Sequence, residues 1–177
     1  MKHLYLGATP ETAREPLPFL REHLAASFGF PLRGLDIPSL DFAFDQKRRQ
    51  YASLSALKML SRLCPRDAAK LIAVTERDLF VPVLTFVFGH AQLGGRVAVV
   101  SFARLRQEFY GLPPDSALFL ERAAKEVLHE TGHTFGLVHC ADPRCAMSLA
   151  TRVQQIDRKQ VAFCPACARR LSREVTP

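Results

Sequence analysis

Between His129 and Met147 the chain reads HETGHTFGLVHCADPRCAM, and no other stretch narrows so sharply what it can fold into. His129 and His133 are four residues apart. On an α-helix that spacing puts them about 40° apart around the axis and about 6 Å apart along it. Their imidazoles therefore share a face and can share a cation. Glu130 lies about 100° from His129 and about 60° from His133. It flanks such a cation without ligating it and can reach a water there as general base. Gly136 can take a positive φ, end the helix and turn the chain back, which brings His139 round as a third imidazole. Three nitrogen ligands leave one tetrahedral position open, the layout of a hydrolytic zinc site.

The residues before the motif agree with a helix. Asp115, after Pro113-Pro114, is placed to cap its N-terminus. Leu120, Ala124, Val127, Leu128, Thr131 and Phe135 form one apolar stripe on the side away from His129 and His133. The helix is expected to bury that stripe and turn its ligands to a cleft.

Beyond His139 the donors change. Four of the five cysteines follow: Cys140 and Cys145, then Cys164-Pro165-Ala166-Cys167. Two close pairs across a loop are how a tetrahedral thiolate zinc site is built, and four thiolates leave no position for water. Such a site is structural. Two disulfides are the alternative, against which a reducing compartment would argue. Cys64 stands apart and reads as a small buried side chain. Because one peptide bond joins His139 to Cys140, the second zinc is expected to fix where His139 points. Losing Cys164 or Cys167 should then impair the histidine site without touching it.

Composition sets the bounds. At 177 residues, 48% hydrophobic and 23% charged, the chain is long enough for one good core. The net charge of +7 is scattered, with clusters only at Lys47-Arg48-Arg49, Arg158-Lys159 and Arg169-Arg170. That favours a basic solvated surface over a nucleic-acid footprint, so no nucleic-acid partner is expected. No run of about 20 apolar residues is present, so no membrane span is expected. The N-terminus lacks a signal-peptide pattern, which leads us to expect a cytoplasmic protein with reduced thiols; a monomer is also expected.

Read in order, residues 3–8 form a first strand. A helix follows from about Pro16 or Pro18 to Phe28, with Gly29 as its stop. Residues 32–37 make a short strand and 38–46 an irregular loop. Tyr51, Leu54, Leu57, Leu60 and Leu63 recur at helical spacing before Pro65. Residues 69–75 suit a buried strand. Residues 84–91 and 97–101 read as two strands of an antiparallel hairpin around Gly94-Gly95. In the first of these, His90 shares a side with Phe86 and Phe88; it reads as a packed or surface histidine, as do His3 and His23. Alternation of strands and helices ahead of the metal helix indicates an α/β layer with a mixed sheet.

The histidine run, with a methionine beyond it, is similar to the metzincin metalloproteases. With Cys140, Cys145, Met147 and the Cys164-x-x-Cys167 pair, the chain resembles the archaemetzincins. The resemblance implies a compact metzincin-like zincin fold of the α/β (α+β) class. That fold has a twisted mixed sheet with an antiparallel edge strand, an active-site helix and a short zinc-stapled C-terminal subdomain. It implies one catalytic domain over 1–177, divided at 137/138, and two zinc ions. The catalytic zinc would sit on His129, His133 and His139 with Glu130 as base, and the structural one on Cys140, Cys145, Cys164 and Cys167. Met147 would form the methionine turn under the histidines. The expected activity is peptide-bond hydrolysis on a peptide or protein substrate laid along the 84–91 strand. Two other readings stay open: a zinc-containing peptide-binding or regulatory protein with little turnover, and a zinc-ribbon protein binding nucleic acid through its basic C-terminus.

Overall fold

The computed structural model describes residues 2–175. Its elements are β1 (His3–Ala8), α1 (Leu17–Phe28), β2 (Leu32–Asp36), β3 (Phe44–Asp45), β4 (Gln50–Ala52), α2 (Ser53–Leu63), β5 (Ala68–Thr75), β6 (Leu79–Phe80), β7 (Gly89–Ala91), β8 (Val97–Ser101), α3 (Ser116–Thr134), α4 (Val153–Arg158) and α5 (Pro165–Val175). The main sheet has strand order β2-β1-β5-β8-β7. Its first four strands run parallel, and β7 closes it as an antiparallel edge on β8.

Sequence pattern explains why this sheet is covered on both sides. In β5, Ile72 and Val74 join one core cluster, while Leu71 and Ala73 join the other. Ala98 and Val100 of β8 alternate with Val97 and Val99 in the same way. Strands apolar on both faces need a layer on each. Helices α1 and α3 supply one, through Leu20, Leu24, Phe28, Ala124 and Val127. Helix α2 supplies the other, through Ala56, Leu57 and Leu60. Gly29 ends α1 in the left-handed region at φ 71°, with its N–H on the Ala25 carbonyl, as the sequence suggested.

Several expectations need correction. Residues 84–91 are not one strand: only Gly89–Ala91 pair with β8. Upstream, Val87 bridges to Leu79 instead, and Pro82 sits in a turn. Tyr51 belongs to β4, not to a helix, and Leu54 and Leu63 are exposed; α2 buries Ser53, Ala56, Leu57 and Leu60. The second sheet, β3-β4-β6, lies partly where an irregular loop was expected. Its strands are two or three residues long, too short to leave a periodic signal.

Both ends of α3 are fixed by neighbours. Asp115 caps the N-terminus, its carboxylate accepting from the Leu118 N–H at 2.9 Å. At the other end the Gly94 N–H donates to the His133 carbonyl, and Lys70 Nζ donates to the Thr134 carbonyl at 2.6 Å. A cation on the last carbonyls also suits the helix dipole. The β7–β8 turn is thus seated on the end of the helix that carries the motif. That helix is buried nearly all round, not on one stripe, from Arg122 to Gly132.

Candidate metal centre

His129 and His133 face each other at one turn's spacing, with Nε2 atoms 3.0 Å apart. His139 joins them, its ring centroid 5.4 Å from that of His129 and 5.0 Å from that of His133. The three offer nitrogens all within 4.8 Å of one another. Zn–N bonds of about 2.0–2.1 Å in a tetrahedron span edges of about 3.3 Å, so the cluster fits one cation.

Local sequence explains the convergence. Gly136 sits at φ 85°. Its N–H bonds the His133 carbonyl at 2.9 Å and the Leu137 N–H bonds the Gly132 carbonyl at 3.0 Å, a Schellman ending. The same turn brings the Leu137 carbonyl back to accept the Nδ1–H of His133 at 2.7 Å. His129 donates its Nδ1–H to the Ala146 carbonyl at 2.8 Å. With Nδ1 so engaged, Nε2 keeps its lone pair for a metal. Burial pushes the proton affinity of His129 well below the imidazole norm, and nearby Lys159 and His133 add to the effect. Burial lowers that of His133 too. Both shifts favour the neutral imidazole, the state a ligand needs.

Glu130 is buried beside them. Burial raises its proton affinity well above the carboxylate norm, Glu126 raises it further, and Lys159 opposes both. Gly89 of β7 packs directly on it: a Cβ there would lie 2.5 Å from Glu130 Cγ. Gly132 gives Met147 the same freedom, since a Cβ would lie 2.5 Å from the Met147 sulfur. Met147 therefore runs directly under the helix turn between the two histidines.

The four cysteines also converge, with sulfurs within 4.8 Å of one another. Cys140 and Cys164 sulfurs are 3.7 Å apart, close to the edge of about 3.8 Å for a tetrahedron of Zn–S bonds near 2.3 Å. A hydrogen bond from the Cys167 backbone, ahead of other causes, holds Cys164 down at about 7. Burial pushes Cys145 and Cys167 up. Cys64 lies apart at the end of α2, half-buried.

A cleft of about 470 Å³ opens over the histidines. Residues 84–91 build one side of it, α3 contributes Glu126, His129, Glu130 and His133, and Val138, His139 and Leu149 close it. His90 lines the cleft, but its Nδ1 is engaged with Ser53 Oγ at 2.9 Å. His3 lies by Asp67, and His23 bonds the Phe19 carbonyl. Two ion pairs gave no sequence signal. Lys159 Nζ meets Glu126 at 2.8 Å, both almost fully buried, and Arg122 meets Asp157 at 2.6 Å. Both tie the C-terminal segment to α3. Only the i, i+4 spacing of Glu126 and Glu130 hinted that a second carboxylate shares the cleft.

Residues 46–173 match Peptidase family M54. The archaemetzincin of Pyrococcus abyssi is 39% identical over 173 residues, 94% of this chain and 92% of that protein. That of Methanocaldococcus jannaschii is 40% identical over 159 residues, 89% and 86%. The crystal structure of archaemetzincin from Methanopyrus kandleri superposes with a TM-score of 0.85 at 35% identity, covering 97% of this chain and 95% of that one. A zinc-dependent peptidase from Methanocorpusculum labreanum superposes at 0.83 with 32% identity, covering 95% and 99%. Among the described residues no helix is long and apolar enough to cross a membrane. With so much of its length shared, the chain belongs to peptidase family M54, the archaemetzincins, a family of zinc-dependent peptidases.

Proposed function

We propose that this chain hydrolyses peptide bonds at a zinc held by His129, His133 and His139, with Glu130 as general base. A second, structural zinc sits on Cys140, Cys145, Cys164 and Cys167. The observation that carries this reading is three imidazole nitrogens within 4.8 Å of one another beside a buried carboxylate in an open cleft. Bound zinc supplies Lewis-acid polarisation of a water and of the scissile carbonyl.

The chain's own groups do the rest. Burial makes the Glu130 carboxylate a stronger base than usual, which suits it to take a proton and return it to the leaving amine. Gly89 keeps that carboxylate against the floor of the cleft. Among the described residues strand β7 pairs with β8 on one side only, which leaves its other edge to take an extended substrate as an added strand. Met147 forms an apolar floor under the histidines. On this reading residues 1–177 act as one catalytic domain. The part up to 137 carries the sheet and active-site helix, and 138–177 carries the methionine turn and the cysteine zinc.

A zinc-loaded preparation incubated with a peptide library, its products read by mass spectrometry, tests the proposal. Cleavage that chelator abolishes is expected. A protein with both zincs bound and no cleavage of any peptide would defeat it, leaving a peptide-binding role.

A further inference from the structure

One side of the cleft is held in an unusual way. Residues 82–88 have little backbone pairing: Val87 N–H bonds the Leu79 carbonyl, Leu84 N–H bonds the Val81 carbonyl, and the Phe88 carbonyl at the far end accepts from Ser101 N–H. Three carbonyls of the segment accept from side chains instead. Arg48 Nη1 donates to Leu84 O at 2.9 Å and Arg48 Nη2 to Pro82 O at 3.0 Å. Gln50 Nε2 donates to Thr85 O at 2.9 Å, and to Asp78 Oδ2 at the same distance. Arg104 grips Asp78 through two bonds of 2.7 and 2.8 Å and lies 4.0 Å over the Phe86 ring. None of these four polar residues lines the cleft, whereas Leu84, Phe86 and Phe88 do.

The β3–β4 turn aims Arg48 at this segment. Arg48 N–H bonds the Asp45 carboxylate, Arg49 N–H bonds the Asp45 carbonyl, and Arg49 takes φ 56°. The Arg48 guanidinium also rests 4.5 Å over the Phe80 ring. A planar fork that reaches two carbonyls at once fixes both position and angle, which a single ammonium does not.

We propose that Arg48, backed by Gln50, is a specificity-determining positioning residue. By fastening 82–85 from outside, it sets the width of the apolar wall against which a substrate side chain next to the scissile bond packs. The inference rests on the peptidase reading above for what enters the cleft. Its bonds to Pro82 and Leu84 are at the exposed surface, where water can replace them. Arg48→Ala should therefore fold normally while the wall loosens.

The test uses zinc-loaded wild type, Arg48→Ala and Arg48→Lys. Two peptide hydroxamates serve as probes, differing only in a leucine or an alanine beside the zinc-binding group. Calorimetry gives the ratio of their affinities, and hydrogen exchange reports on 82–88. Wild type is expected to prefer the leucine probe. Arg48→Ala should cut that preference about tenfold and speed exchange in 82–88 while α3 stays protected; Arg48→Lys should fall between. A wild type without preference, or an unchanged ratio in Arg48→Ala, overturns the inference whatever exchange does. Probe binding needs no turnover. Failure to cleave peptides would thus count against the hydrolytic reading, while the affinity ratio still decides this one.

Discussion

His139 and Cys140 are neighbours in the chain, yet they belong to clusters built in opposite ways. Two members of the histidine cluster stand on one helix, each oriented by a backbone carbonyl on its Nδ1–H, and the third comes from the exposed loop. Its open side is the cleft. The cysteine cluster takes its four sulfurs from the loop after the helix and from the start of α5, enough to fill every position of a tetrahedral metal. On the reading proposed above, donor count is what separates chemistry from scaffolding. Two of the histidines are held by one helix; the cysteines lie in a segment of loops with helices α4 and α5.

The sharpest way to break this contrast is to change one side alone. Glu130→Gln should lower kcat/KM by about 10²–10⁴ and leave both zincs in place by metal analysis. Cleavage at the wild-type rate would remove the assigned role. Cys164→Ser acts from the other side. It is expected to lose one zinc equivalent and to lower activity about 10–100-fold through His139. Full activity with a single zinc bound would show that the cysteine cluster does not set the histidine geometry.

The two ion pairs offer an intermediate probe, because they tie the cysteine-bearing segment to α3 independently of metal. Lys159→Met leaves Glu126 buried and unpaired and should cost about 3–5 kcal/mol in denaturant unfolding. Adding Glu126→Gln should recover part of that; no recovery would mean the loss is one of packing. Gly89→Ala is milder, about 1–3 kcal/mol, because a Cβ would meet the Glu130 side chain. Its activity should fall more than its stability. Equal losses would argue that β7 does not position the carboxylate.

Per group, the smallest effect is on pH dependence. Folding lowers the proton affinity of His129 and His133 from the ordinary value of 6.5. As pH falls below that value, the unfolded chain binds protons that the folded one refuses, so stability drops. Glu130, shifted upward, has the opposite sign and is best removed. In metal-free Glu130→Gln protein the unfolding free energy in urea should fall between about pH 7.5 and about pH 5.5, by at most about 1.4 kcal/mol per group over that whole window. A flat profile would show imidazoles that stay solvated.

What the sequence declared by itself was local. The i, i+4 spacing of His129 and His133, the glycine that turns the chain at 136 and the paired cysteines all act over a few residues, so periodicity and bond geometry suffice to read them. The Gly29 stop of α1 and the buried run of β5 were legible for the same reason. Residues 84–91 read as one strand because their alternation is genuine, but alternation does not say which partner a strand finds. Val87 pairs with Leu79, and only Gly89–Ala91 reach β8.

Only the tertiary structure could decide what depends on distant segments meeting. Arg48 reaches a carbonyl 36 positions away, and Lys159 a carboxylate 33 positions away. Gly89 matters because the Glu130 side chain lies where its Cβ would be. None of these leaves a local pattern, because hydrogen bonding and close packing depend on separation in space, and the chain fixes that separation only once its layers have closed.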